Sequence, residues 1–308
     1  GYGGYGTNTL NFMTDLNTRM TTFNPHALGM IGDMVSAIDN TILTSDETAI
    51  RNKFATLPGA RFVTPGNHDF DYMTLAQWLA VWKEECLYFE PDKAFGSFDV
   101  GEYHFVILDC LYNNTTPFAH VSTTSYPSEF YIPDGTDGSV NQLGWLRNDL
   151  AKTDKKTLVF CHTSLSELGS GFWTLSDGVG RVGNRAAVRT VFEDSDKVIG
   201  VFGGHIHNNR WMVINGIPYI HSTVFNNTPS ANIVASREYI TGTEKGAWTE
   251  ITINNRTGEM HLEFYENDSV EGVRKTTDTV KFYRDLDGKY QPQNPHDALV
   301  VYESSDLS

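Results

Sequence analysis

Cysteine is scarce in this chain: Cys86, Cys110 and Cys161 are the only three in 308 residues. They are too few and too scattered for a disulfide framework or a thiolate metal site. Cys110 and Cys161 sit inside apolar runs and read as small, inert hydrophobes. No run of about 18 apolar residues exists, which excludes a helical membrane span. Basic residues are outnumbered, 23 Lys and Arg against 38 Asp and Glu, for a formal charge of −15. Binding along a phosphate backbone needs clustered Lys and Arg, so no long nucleic acid is expected as a partner. A small phosphate ester stays open, because bound divalent metals invert the charge of a pocket. The opening GYGGYGTNTL has neither a basic n-region nor an apolar h-region and does not read as a signal peptide. Internal repeats and linkers are absent too, and one domain over residues 1–308 is expected.

What is present is a series of apolar strands, each followed by a polar loop. Residues 8–23 show helical spacing up to the Asn24-Pro25 break, and HALGMIGDM then reads as a buried strand ending near Gly32. Residues 46–57, 73–86 and 184–194 and the run NQLGWLRNDLAK read as helices. FGSFDVGEYHFVILDCL reads as a hairpin turning at Gly101-Glu102. ARFVTPGNHD, KTLVFCHTSL and DKVIGVFGGHIH are each a strand that empties into a loop. From Arg210 onward helical spacing stops and antiparallel hairpins with Asn-Gly-type turns take over. This order predicts a layered α/β protein whose central β-layers pack on each other.

Four loops carry ligand chemistry. Asp33 ends the first strand, with no Lys or Arg beside it in sequence, and its carboxylate can bridge two cations. Asn67 offers a neutral oxygen, and His162 and His205 offer imidazoles from two further strand ends. His207 lies two residues past His205, so in a loop the two rings can diverge toward neighbouring metals. His68 stands beside Asp69, and an imidazole oriented by a carboxylate can hand a proton to a leaving group. A lone Gly-Asp or a lone histidine is more often a turn or a packed residue than a ligand. The conjunction changes that, since every one of these groups follows an apolar strand. His26, His104, His120, His221, His261 and His296 lack that setting and read as ordinary.

At these residues the chain resembles the calcineurin-like metallophosphoesterases, over about residues 8–265. That superfamily's pattern is Asp-x-His, Gly-Asp, Gly-Asn-His-Asp/Glu, His and Gly-His-x-His. Four of the five blocks are here in order: Gly32-Asp33, Gly66-Asn67-His68-Asp69, His162, and Gly204-His205-Ile206-His207. The resemblance implies a four-layer α/β/β/α sandwich of mixed sheets. It implies two divalent or trivalent ions (Mn, Fe, Zn or Ni) about 3.5–4 Å apart. Asp33 would bridge them, Asn67, His162 and His205 would complete one site, and His207 would belong to the other. The implied reaction is hydrolysis of a phosphoester by metal-bound hydroxide. His68 would act as general acid or phosphoryl binder, with Asp69 orienting it.

The first block is missing: no Asp-x-His occurs anywhere, and Asp15 sits in a helical pattern rather than at a strand end. The second metal site is therefore incomplete in this chain. A start just after that motif is the simplest expectation, because true loss would remove a central strand. Hydrolysis of phosphomonoesters or phosphodiesters is the reading. The alternatives are a hydrolase of nucleotide diesters or pyrophosphates, and a catalytically impaired single-metal binding protein. Tyr112, Tyr126, Phe130, Tyr131, Phe172 and Trp173, in the loops at 112–142 and 165–183, are expected to wall the substrate pocket. The Asn- and Thr-rich composition and sparse cysteine suit an extracytoplasmic (periplasmic or secreted) bacterial protein.

Overall fold

Met13, Leu16 and Met20 are buried at the spacing that gives helix α1 (Tyr5–Phe23) an apolar stripe, and Asn24 ends it with a left-handed φ of 53°. The computed structural model describes residues 5–34, 40–121, 127, 129–135, 140–166, 181–205, 209–222, 246–268, 272–293 and 299–301. Strand β1 (Ala27–Ile31) pairs in parallel with β2 (Ala60–Thr64), and α2 (Asn40–Phe54) lies between them in sequence. A single 3-10 turn (Asn67–Phe70) leads to α3 (Leu75–Trp82), which begins in a capping box between Thr74 and Gln77. The β3 (Gly96–Val100) and β4 (Tyr103–Ile107) hairpin turns at Gly101, and a short pair follows, β5 (Tyr112–Asn113) with β6 (Ala119–His120). Helix α4 (Gln142–Lys152) is capped by Asn141 Oδ1, which accepts from the Gly144 amide at 2.7 Å. Strand β7 (Lys156–Phe160), helix α5 (Arg185–Ser195) and strand β8 (Val198–Gly203) come next. The remaining elements among the described residues are strands: β9 (Arg210–Ile214), β10 (Ile217–His221), β11 (Gly246–Ile253), β12 (Met260–Asp268), β13 (Gly272–Arg284), β14 (Tyr290–Pro292) and β15 (Leu299–Val301).

The largest sheet has seven strands in the order β15-β9-β10-β8-β7-β4-β3. It is mixed, with β4, β7, β8 and β10 parallel and the β3–β4 and β9–β10 pairs antiparallel. A four-stranded antiparallel sheet, β11-β12-β13-β14, packs on one of its faces, and among the described residues β1 and β2 form a two-stranded sheet of their own. Neighbouring residues alternate between two cores, as the two-residue strand period requires. Phe62, Phe160 and Phe202 turn toward the second sheet, while Val63, Val159 and Val201 turn toward the helices. The Phe62, Phe160 and Phe202 rings contact in series, with centroids 4.4 and 5.1 Å apart, so β2 lies in the same layer as β7 and β8. Each such buried phenylalanine contributes on the order of 2–3 kcal/mol.

The expected layered α/β fold with mixed sheets and C-terminal antiparallel hairpins is present. Several helix ends differ from the sequence reading. Helix α1 begins at Tyr5 instead of 8, α2 runs Asn40–Phe54 instead of 46–57, and α3 runs Leu75–Trp82 instead of 73–86, with Glu85 beyond its end pairing with Arg61 of β2 at 2.8 Å. Among the described residues no helix is long and apolar enough to cross a membrane.

Candidate metal centre

Parallel strands deliver their loops to one edge of a sheet, and β1, β2, β7 and β8 all end where the polar motifs begin. After β1 the chain turns sharply, with φ 53° at Asp33, and after β8 it does so again, with φ 61° at His205. A non-glycine residue in the left-handed region is uncommon, and Asp33 and His205 are two of the six among the described residues. Gly66 permits the close approach of the first two loops. A Cβ there would lie 2.0 Å from the Asp33 amide nitrogen and 2.4 Å from its Oδ1.

His162 Nε2 is the hub of the cluster. It lies 3.1 Å from Asp33 Oδ2, 3.2 Å from Asn67 Oδ1 and 3.2 Å from His205 Nδ1. Donor atoms of Asp33, His162 and His205 all fall within 4.8 Å of one another. His162 Nδ1 donates to the Ile31 carbonyl at 2.8 Å, so in the neutral ring the Nε2 lone pair faces the other three groups. An imidazole anchored through its far nitrogen is the usual arrangement of a metal-ligating histidine. Separations of 3.1–3.2 Å suit donors sharing one cation at roughly 2.0–2.2 Å each. The donor set therefore fits a borderline divalent ion. Burial pushes the Asp33 carboxyl up, but His162, then His68 and His205, hold it well below the usual carboxylate range. Burial lowers His162, and Asp33 and the Ile31 carbonyl overcome this and raise it to about 9. Loading a cation must displace that proton.

The profile of the family described as calcineurin-like phosphoesterase matches residues 14–209. The chain belongs to that family. Phosphoester hydrolysis is the family's general chemistry. A dimetal phosphatase from Danio rerio superposes with a TM-score of 0.56 at 12% identity, covering 92% of this chain and 89% of that one. A phosphopantetheinyl hydrolase from Mycobacterium tuberculosis superposes with a TM-score of 0.43 at 15% identity, covering 70% of this chain and 88% of the other. No curated protein matches the sequence.

The structure thus brings Asp33, Asn67, His162 and His205 together, and His207 lies outside the described residues. His68 sits beside them: its amide donates to Asp33 Oδ1 at 2.8 Å and its side chain is 42% exposed. The expected partnership of His68 with Asp69 is corrected. The carboxylate at His68 Nδ1 is Asp71, at 3.0 Å, because a 3-10 turn stacks residues i and i+3 on one face. Burial lowers the His68 imidazole, and Asp71 and Asp33 raise it to about 9. Asp69 is fully buried and accepts from the amides of Asp33, Met34 and Gly66 at 3.2, 2.8 and 2.9 Å. It ties the first two loops together. Glu47 of α2 faces Asp69 in the same buried space, its Oε2 accepting from Trp82 Nε1 at 2.8 Å. Burial, then Glu47 and Asp33, push Asp69 well above its ordinary value, and burial pushes Glu47 up to about 7.

The expected aromatic walls are also corrected in part. Tyr112 and Phe130 are each 3% exposed and belong to the packed interior; Phe130 stands edge-on to His205 with ring centroids 6.2 Å apart. Tyr126, Phe172 and Trp173 lie outside the described residues. All three cysteines are buried, as small hydrophobes would be.

Proposed function

We propose that this chain hydrolyses phosphate esters with the help of divalent metal. The observation that carries the reading is the gathering of Asp33, Asn67 and His205 around His162 Nε2, with the exposed ring of His68 beside them. Asp33, Asn67, His162 and His205 would hold one cation, and Asp33 with His207 would contribute to a second. Bound metal supplies a Lewis acid for the phosphoryl oxygens and lowers the pKa of a water.

The chain's own groups divide the remaining work. The Ile31 carbonyl fixes the tautomer of His162. Asp69 clamps the backbone on which Asp33 and Asn67 stand. With His68 Nδ1 held by Asp71, the proton passed to the departing ester oxygen would sit on Nε2. The acidic surface suits small esters rather than nucleic acid strands, since the positive charge in the pocket would come from the metal.

The test is turnover of p-nitrophenyl phosphate and of bis(p-nitrophenyl) phosphate by protein loaded with Mn, Zn or Fe. Turnover lost in His162→Ala together with metal uptake, and turnover of phenyl phosphate lost in His68→Ala with uptake intact, is the expected result. Full metal uptake without turnover of either ester would favour the binding protein. Faster turnover of the bis ester would assign diesters as the substrate class.

A further inference from the structure

A buried imidazole joins the loops after β7 and β8, and the hydrolytic reading gives it no task. His221 ends β10, opposite Gly203 of β8 in the parallel register, and is 2% exposed. Its Nδ1 lies 3.3 Å from the Gly204 carbonyl and its Nε2 lies 3.1 Å from Ser164 Oγ. A carbonyl can only accept, so Nδ1 carries the hydrogen, and in the neutral ring Nε2 accepts from the Ser164 hydroxyl. Ser164 Oγ in turn accepts from the Ser166 amide at 3.2 Å and lies 3.0 Å from Ser166 Oγ. The bonds run with one polarity from Ser166 to the carbonyl of Gly204. A Cβ on Gly203 would come within 2.6 Å of His221 Cε1, so the ring occupies space that any side chain on β8 would take.

The two ends of this bridge are set close to the cluster. Gly204 directly precedes His205, and Ser164 stands two residues after His162. We propose that His221 is a positioning residue: through Gly204 and Ser164 it holds the segments bearing His162 and His205 at the separation one cation needs. The inference rests on the metal-centre reading and adds a residue to it. An apolar side chain at 221 would remove the hydrogen bonds to the Gly204 carbonyl and the Ser164 hydroxyl at the base of two ligand loops.

The experiment titrates Co2+ alone into wild type, His221→Leu, His221→Asn and Ser164→Ala, following the visible d–d bands. Groups that orient a metal's ligands are typically worth about 10–100-fold in affinity. His221→Leu is expected to weaken Co2+ binding by that factor and to shift the bands. His221→Asn, which can still donate to the Gly204 carbonyl, should recover most of the loss. A residue that merely filled space would lower the melting point without altering the spectrum. Wild-type affinity and bands in His221→Leu overturn the inference while leaving the metal centre in place. If that variant does not fold, unchanged affinity and bands in Ser164→Ala overturn it instead. Failure of the wild type to take up Co2+ overturns the metal-centre reading, and the positioning role with it.

Discussion

Asp69→Asn and Asp71→Asn should separate the two carboxylates of the Gly66–Asp71 turn. Asp69 Oδ2 accepts from Asp33 and Gly66, and Oδ1 accepts from Met34. An asparagine oxygen at the Oδ2 position keeps two of these bonds and turns an amino group toward the third amide. The loss is one hydrogen bond to a buried donor, about 1–3 kcal/mol. It is partly offset because a neutral side chain replaces one of two facing carboxyls. Alanine strands all three amides, and by the same count the loss reaches at least about 3 kcal/mol. Thermal melts of the metal-free protein should therefore fall in the order wild type, Asp69→Asn, Asp69→Ala. Asp71→Asn should change the melt little, since one hydrogen bond to a half-exposed imidazole is worth about 1 kcal/mol or less. Its effect belongs to turnover. General acid catalysis contributes about 10²–10⁴-fold, so mis-aiming His68 should slow phenyl phosphate about 10–100-fold. It should hardly affect p-nitrophenyl phosphate, whose leaving group departs without a proton. Leaving-group-dependent loss in Asp69→Asn, with Asp71→Asn behaving as wild type, would refute the assignment.

Gly66→Ala forces a methyl onto the Asp33 amide and should abolish metal uptake, with destabilisation at the upper end of the roughly 1–3 kcal/mol overpacking range; isothermal titration and a melt check both. His104 bridges Asp99 and Asp149 at 2.8 Å each; burial lowers its pKa, but the two carboxylates raise it overall. Its contribution to stability is complete below about pH 6.5 and is lost as pH climbs through the raised value, so His104→Gln should flatten the alkaline limb of a melting-point profile. Arg19 holds Glu250 through two bonds of 2.8 Å, and Glu250 is nearly buried while Arg19 is a third exposed. Arg19→Met should cost about 1–2 kcal/mol in urea melts, below the 3–5 of a fully buried pair because solvent screens the arginine. Arg19→Lys should recover little, since an ammonium cannot make the two-pronged contact.

Much of the fold was legible because β4, β7, β8 and β10 are buried almost throughout, leaving unbroken apolar runs that stop abruptly at polar loops. DKVIGVFGG is one such run, and β8 is buried along its whole length. The ligand set was legible for the same reason: Asp33, Asn67, His162 and His205 each stand just past such a run. Asp71 was missed because the partner of His68 is chosen by the 3-10 geometry of the turn, not by adjacency in sequence. The spacing His-x-x-Asp was the available signal. Glu47 was missed although it lies inside the expected helix 46–57, since nothing local distinguishes a buried glutamate from a solvated one. His221 and Ser164 are 57 residues apart and meet only through strand order, which no periodicity encodes.

The separateness of β1–β2 has a consequence for how the centre is built. Asp33 and Asn67 ride on that two-stranded piece, while His162 and His205 ride on the seven-stranded sheet. Among the described residues no backbone ladder crosses the seam between them; the Phe62–Phe160 packing and the His162–Ile31 bond do. The four donors thus straddle a joint, and an ion seated among them would rivet it shut. Amide exchange along Ala60–Thr64 should accordingly slow on metal loading far more than exchange within β8, which is already laced into its own ladder on both sides.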